Sequence, residues 1–514
     1  MVLITSAAYV SPALVSEFGK LPPAMLPVQN RRLYRHQLEI FPSGEHVVIS
    51  LPDDYELEEG DRVALENLGV EVVKVPVGLS LGQSVVYALN MVCRYDEPLY
   101  ILHGDTLFGS LDFVPDSCTV ADVEDDYAWA ETMNGSGEIF SGFFSFSSQQ
   151  SLVRCITRCH YHFINGVENY GVEHTMSRIK NTTWKDFGLV NTYYRSISKM
   201  TTERVFNSLE ATPYSLTKRS SDKKKILAEA NWLKSLPVDM KHYAPTVWNV
   251  GEEEEEGFYQ IEYYYLSSLA NLYVFAKNPP YVWSDILKAC NAYLCDEVKY
   301  LPADKGQVAI QNKTLITKKT MTRLKQYALQ SGVDLDREWT LNGAPVPSLR
   351  EICQRTSEMI DADEMDFVTL MHGDFCFSNI LYDFKSKGIK VIDPRGLTPD
   401  GEQCIYGDLR YDVAKLTHSV MGLYDFIIGG RFSYEENGEY HITFHVFENQ
   451  TVRDVQRIFR EMTFGGYTLR ELSADPIVIH LFLSMLPLHH DNPLRQKAFL
   501  ANALRLYLEL ENHE

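Results

Sequence analysis

The sequence predicts two joined domains, an α/β domain followed by an α+β domain, and three observations lead there. The chain has 514 residues, more than one hydrophobic core ordinarily serves. Its first half alternates short β-rich runs with helical stretches, the pattern of βαβ units on a mainly parallel sheet. Around 205–225 the sequence turns polar and basic, then helical, and it stays mostly helical from about 281. The boundary is placed at 208, giving domains 1–208 and 209–514.

The elements follow in order. "MVLITSAAYVSPAL" reads as a first strand running into a loop, "EHVVISLP", "VEVVKVPV" and "PLYILHGD" as further strands, and "GQSVVYALNMV" as a helix among them. Such sheets bind ligands at the carboxyl ends of their strands. Asp105, at the end of "PLYILHGD", is therefore a candidate site residue. "TPYSLTKRS" reads as a strand opening the second domain, followed by a helix in "DKKKILAEANWL". "GEEEEEGFYQIEYYY" joins an acidic turn to an aromatic strand, and its five glutamates read as a solvated hairpin tip without a function.

Composition excludes several classes. Apolar residues make up 45% and aromatics 12%, as in folded proteins, and no apolar run is long enough to span a bilayer. The first residues lack the basic segment of a secretory signal. Nine cysteines without a CxxC pair suit reduced thiols in the cytoplasm. Cys155, Cys159 and His160 have the spacing of a helix face rather than of a metal site. A net charge of −21 argues against general affinity for nucleic acid, which needs clustered cations.

The tripeptide His-Gly-Asp occurs twice. In "HGDFCFSNILYDFKSKGIKVIDPRG", Asp374 follows a strand, Asn379 comes five residues later, and two strands joined by "KSKG" lead to Asp393. Phosphoryl transfer needs these groups: a carboxylate to take the proton of the attacking hydroxyl, and oxygen ligands for Mg²⁺ at the phosphates of ATP. The segment resembles the aminoglycoside phosphotransferase and choline kinase superfamily, whose signature is HxDxxxxN followed by a hairpin and an ID metal site. That resemblance implies a protein-kinase-like α+β domain, with Asp374 as catalytic base and Asn379 and Asp393 as Mg²⁺ ligands. It implies Lys218 on the ATP phosphates with Glu229 as its partner, although Lys223, Lys224 and Lys225 crowd the same region. It places the adenine-binding strand near Glu262 and Tyr263. "YGDLRYDVAKLTHS" resembles the structural aspartate helix of these kinases. No activation segment is evident after "DPRG", so a small-molecule acceptor is expected.

The first copy lacks the downstream asparagine. Its context, "FGKLPPAMLPVQNRRLYRHQLEIF", then "GLSLGQSVVYAL", then "LYILHGDTLF", resembles nucleotidyltransferases that make activated sugars and alcohols. The resemblance implies a Rossmann-like domain of the GT-A type, with Asp105 and Asp186 binding Mg²⁺ and Gly82 and Ser84 near the base. The sequence departs from that family in its first loop, "TSAAYVSPALVSEFG", which lacks the usual glycines, and at Pro23, where a lysine is usual. Lys20, Arg31, Arg32 and Arg35 are the basic residues that could compensate.

Together the halves suggest consecutive steps: an acceptor (amino alcohol, sugar or polyol) is phosphorylated with ATP, then joined to a nucleotide, CTP being the first choice of donor. By analogy the product is an activated precursor of capsule or another surface polysaccharide. The alternative is a kinase whose N-terminal domain only binds a nucleotide. A choline-like acceptor would need an aromatic cage, for which "IEYYYL", "DLRYD" and "LPLHHDNP" offer side chains.

Overall fold

The β-branched runs of the first half pair into one seven-stranded sheet. Its order is Ser177–Lys180, Ser117–Asp122, Glu138–Phe146, Leu99–His103, Val2–Thr5, Val47–Pro52, Glu71–Val75. Val2–Thr5 runs parallel to both neighbours, and Glu138–Phe146 is antiparallel to the strands beside it. After Val2–Thr5 the chain adds strands on one side, then returns to add Leu99–His103 on the other. The carboxyl ends of these two strands thus flank the crevice where the strand order reverses, where open α/β sheets bind ligands. Valine, isoleucine and leucine from the strands pack with the helix Leu81–Val92 and with Gln149–Arg158 and Phe163–His174 into a continuous core.

The computed structural model describes residues 1–122, 137–200, 207–360 and 365–513. It divides into two compact units, Met1–Ile197 with Phe275–Lys277, and Ser198–Val274 with Asn278–Glu514. Among the described residues no helix is long and apolar enough to cross a membrane.

The second unit begins with a four-stranded antiparallel sheet in the order Asn207–Ala211, Ser215–Ser220, Gly257–Glu262, Val247–Glu252. The helix Lys223–Ser235 lies on it, with Ile226, Ala230, Trp232 and Leu233 buried. Asp222 caps this helix by accepting from the Lys225 amide at 3.1 Å. The rest is mostly helical, with a hairpin of Ile380–Asp383 and Gly388–Val391.

One sheet was not expected. Trp339–Leu341, Ala344–Val346, Phe432–Gly438 and His441–Val446 form a second four-stranded sheet. The last two of these strands turn at Glu439–Tyr440, where Tyr440 takes a left-handed conformation, φ 64°, just after Asn437-Gly438 rather than at it.

Candidate active sites

In the second unit the strand Val368–Leu370 delivers His372, Gly373 and Asp374 to a turn. His372 is fully buried, and its ring lies 5.3 Å from that of Trp232, whose indole N–H donates to the Met371 carbonyl at 2.8 Å. Gly373 has φ +79°, and a Cβ there would meet the Arg395 Cβ at 2.6 Å. Only glycine fits. Asp412, on the helix Leu409–Val420, clamps the turn from below by accepting from the His372 and Gly373 amides at 2.6 and 2.8 Å.

The turn presents the Asp374 carboxylate at a partly open surface, its side chain 40% exposed. Lys415 Nζ lies 2.8 Å from Asp374 Oδ1. Asn379 Nδ2 donates to Asp374 Oδ2 at 2.9 Å and to its carbonyl at 3.0 Å, which leaves the Asn379 carbonyl oxygen facing away from Asp374. Asp393 follows the hairpin in a left-handed conformation, φ 56°. Its Oδ1 lies 3.1 Å from Lys218 Nζ, which also donates to Glu229 Oε2 at 2.7 Å. Lys218 and Glu229 are buried, whereas Lys223 lies on the helix beyond and bonds the Glu253 and Glu254 carbonyls. The structure thus brings Lys218, Glu229 and Asp393 together, and separately Asp374 with Asn379.

The charges follow from these contacts. Burial pushes the Asp374 carboxyl up, but Lys415, His372 and Arg395 outweigh it and hold the group below the usual carboxylate range. It is ionised at neutral pH and can accept a proton. Burial lowers Lys218, but Asp393 and Glu229 outweigh it and keep it an ammonium. Burial lowers His372 to about 4, so the imidazole is neutral. Burial raises Asp412 to about 7 despite the hydrogen bonds from the Gly373, His372 and Phe375 amides.

The expected adenine contact shifts. The Glu262 amide donates to the Thr246 carbonyl and the Tyr263 amide to the Tyr214 carbonyl, both at 3.0 Å. Both N–H groups are therefore engaged within this unit's own backbone. Sequence reasoning also missed Lys415 and Arg395, whose charges act on Asp374, and Tyr411, Lys319 and Arg323, which interact electrostatically with Arg395. Lys415 had a local signal, lying one turn after Asp412 on the same helix. Lys319 and Arg323 had none, since they come from a helix outside every motif.

In the first unit Gly104 lets Leu99–His103 approach its neighbour: a Cβ there would lie 2.7 Å from the Thr5 carbonyl oxygen. Asp105 follows. Thr106 pairs with Asp186 across a two-stranded ribbon, and the Phe187 amide donates to the Asp105 carbonyl at 2.8 Å. A Cβ on Gly188 would lie 2.7 Å from Asp105 Oδ2 and 3.4 Å from Asp186 Oδ1, so both carboxylates front the same glycine. Two carboxylates are hard oxygen donors of the kind Mg²⁺ takes. Among the described residues no group of three or more His, Cys, Asp or Glu could hold a metal.

Gly82 and Ser84 lie in the first turn of the helix Leu81–Val92, which Ser80 and Gln83 open with a capping box. A Cβ on Gly82 would lie 2.2 Å from the Tyr161 carbonyl, so helix packing accounts for this glycine. Lys20 is drawn to Asp54 at 3.0 Å, with its ammonium 4.0 Å above the Tyr9 ring. Arg32 is buried against Asp61 at 2.7 Å, and exposed Arg31 pairs with Glu39 at 2.7 Å. These cations already have carboxylate partners.

Scans against protein-family models and against curated proteins found no match. Among solved structures, the N-terminal region is similar to a protein assigned as a glucose-1-phosphate thymidylyltransferase from Bacillus anthracis, in complex with sucrose. Identity is 12% and TM-score 0.31, over 40% of this chain and 97% of that one. The C-terminal region is similar to a thermostable mutant of aminoglycoside phosphotransferase APH(4)-Ia, at 13% identity and TM-score 0.35, over 59% and 93% of the two chains. An aminoglycoside-3'-phosphotransferase of type VIII gives 14% identity and TM-score 0.28, over 59% and 88%.

Proposed function

We propose that the second unit phosphorylates a small hydroxyl compound with ATP. The observation that carries this reading is the Lys218 ammonium held between Glu229 at 2.7 Å and Asp393 at 3.1 Å, in the same unit as an ionised, half-exposed Asp374. The acceptor hydroxyl gives its proton to Asp374 as its oxygen attacks the γ-phosphorus. The bond from that phosphorus to the β,γ-bridging oxygen breaks, and ADP leaves. Lys218 binds the phosphates, and Glu229 fixes its ammonium. Asn379 and Asp393 offer the amide and carboxylate oxygens that would hold Mg²⁺, which when bound neutralises phosphate charge.

The first unit then joins the phosphorylated product to a nucleotide. An oxygen of its phosphate attacks the α-phosphorus of a nucleoside triphosphate, for which CTP is proposed, and pyrophosphate leaves. Asp105 and Asp186 are the residues that would hold Mg²⁺ there. Such a product would serve as an activated precursor for capsule or another surface polysaccharide. A second reading, in which this unit binds a nucleotide without turnover, is favoured by one observation: Lys20, Arg31 and Arg32 are all paired with carboxylates.

The test is a panel of alcohols and sugars with ATP and Mg²⁺, followed for ADP, and the phosphorylated products with each NTP, followed for pyrophosphate. Acceptor-dependent ADP and then pyrophosphate are expected. ADP without pyrophosphate in any combination selects the second reading, and no acceptor-dependent ADP sinks the kinase.

A further inference from the structure

The surroundings of Asp374 are more basic than proton abstraction requires. Tyr411 and Lys415 lie one turn apart on Leu409–Val420, and Lys319 and Arg323 one turn apart on Lys319–Ser331. Arg395, two residues beyond Asp393, donates from its amide to the His372 carbonyl at 2.9 Å. Its guanidinium lies 5.1 Å from the Tyr411 ring centre and donates to the Tyr411 hydroxyl at 3.4 Å. Arg323 donates to the Ser484 carbonyl at 3.0 Å. Lys415 is balanced by Asp374 at 2.8 Å. Among the described residues Lys319 and Arg323 form no ion pair with a carboxylate, and Arg395 shares with Lys415 the single charge of Asp374, in a chain whose net charge is −21.

These cations act on one another. Lys319 is lowered to about 8: the charge of Tyr411 supports its ammonium, but burial together with Arg395, Arg323 and Lys415 outweighs it. Tyr411 is fully enclosed, and although burial raises its hydroxyl, Arg395, Lys319 and Lys415 bring it down to about 8. Partly buried positive groups without counter-charge are costly, and an anion among them relieves the cost. A cationic acceptor meets repulsion here, and the Tyr411 face that a quaternary ammonium would use is taken by Arg395.

Resting on the kinase reading, we propose that the acceptor is a hydroxy compound carrying an anionic group, carboxylate or phosphate, which Lys319, Arg323 and Arg395 receive while its hydroxyl faces Asp374. Charge-assisted hydrogen bonds to a guanidinium and an ammonium would favour the acid over its neutral counterpart by at least about 10-fold.

The experiment uses the full chain with Mg²⁺ and three matched sets: glycerate, gluconate and glycerol 3-phosphate; glycerol and glucitol; ethanolamine and choline. ADP release is followed with ATP, and binding by calorimetry with a non-hydrolysable ATP analogue. Preference for the first set, weakened at least about 10-fold by Lys319→Gln or Arg323→Gln with analogue binding unchanged, supports the proposal. Glycerate against glycerol 3-phosphate tells carboxylate from phosphate. Turnover that prefers a neutral or cationic member overturns the anion site and leaves the kinase standing. Anion binding sensitive to both variants but without ADP from any compound supports the anion site and sinks the kinase. Variants that weaken the ATP analogue instead of the anion, or no binding and no turnover in any set, overturn the proposal.

Discussion

Gly188→Ala gives the sharpest test of the first unit. The new Cβ would lie 2.7 Å from Asp105 Oδ2, 3.5 Å from Asp105 Cγ and 3.4 Å from Asp186 Oδ1. Only the first contact is impossible, so the Asp105 carboxylate must retreat by about 0.5 Å or more to regain ordinary contact. Gly188 does not have the left-handed backbone that would resist alanine, so the perturbation falls on Asp105. Misplacing a positioned group by about 1 Å costs on the order of 10²-fold. The expected loss in nucleotidyl transfer is therefore about 10- to 100-fold, with a higher Mg²⁺ concentration at half-maximal rate. Pyrophosphate release and Mn²⁺ binding measure this, and acceptor-dependent ADP release in the second unit serves as the internal control for folding. Unchanged pyrophosphate release at every Mg²⁺ concentration, with kinase activity intact, would refute a role for Asp105 in binding the metal.

Three further outcomes are expected. Asp374→Asn lowers kinase kcat by about 10²- to 10⁴-fold, the usual worth of a general base, and leaves nucleotidyl transfer unchanged when the two activities are assayed in the same preparation. Lys218→Met destabilises by up to about 3–5 kcal/mol because it leaves the buried Glu229 charge with only Lys225 at 4.0 Å and the Tyr259 hydroxyl at 3.1 Å; adding Glu229→Gln recovers part of that loss in urea unfolding, and a double-mutant cycle without coupling would contradict the pair. His480 is buried and lowered to about 4 by burial, so the stability it contributes is present above about 6.5 and is lost as pH falls through about 4. Relative to His480→Gln, the wild-type chain therefore loses about 2 kcal/mol between pH 7 and pH 5, read from urea midpoints at the two values.

What was legible in the sequence was local. The spacing of Asp374, Asn379 and Asp393 sits within one loop and one hairpin, so a linear pattern carries it. Lys218 was separable from Lys223, Lys224 and Lys225 only by its alternation in a strand, since Thr217 and Arg219 flank a side chain that points to the buried helix face. Lys319 and Arg323 were invisible because their meeting with Tyr411 and Arg395 depends on how one helix packs against others, and no periodicity encodes that. The packing reason for Gly82 was equally invisible: the Tyr161 carbonyl would lie 2.2 Å from a Cβ there, a contact made by a residue about 80 positions further along the chain.

The two His-Gly-Asp segments show how alike letters arise from different requirements. Each histidine anchors the end of a strand in the core: His103 against Phe144 and Phe163 at 5.7 and 6.0 Å, His372 against Trp232 at 5.3 Å. Each glycine is required, but Gly104 because the Thr5 carbonyl lies 2.7 Å from where a Cβ would be, and Gly373 because the chain there turns left-handed. Each aspartate then emerges where the strand stops pairing with its neighbours. From that point the partners differ. Asp105 faces a second carboxylate, Asp186, across Gly188. Asp374 meets Lys415 at 2.8 Å and an asparagine amide at 2.9 Å, and the Lys415 charge helps keep it ionised. A strand end with a packed histidine and a glycine is thus a way to place a carboxylate, and the chemistry belongs to whatever the rest of the fold brings to that carboxylate.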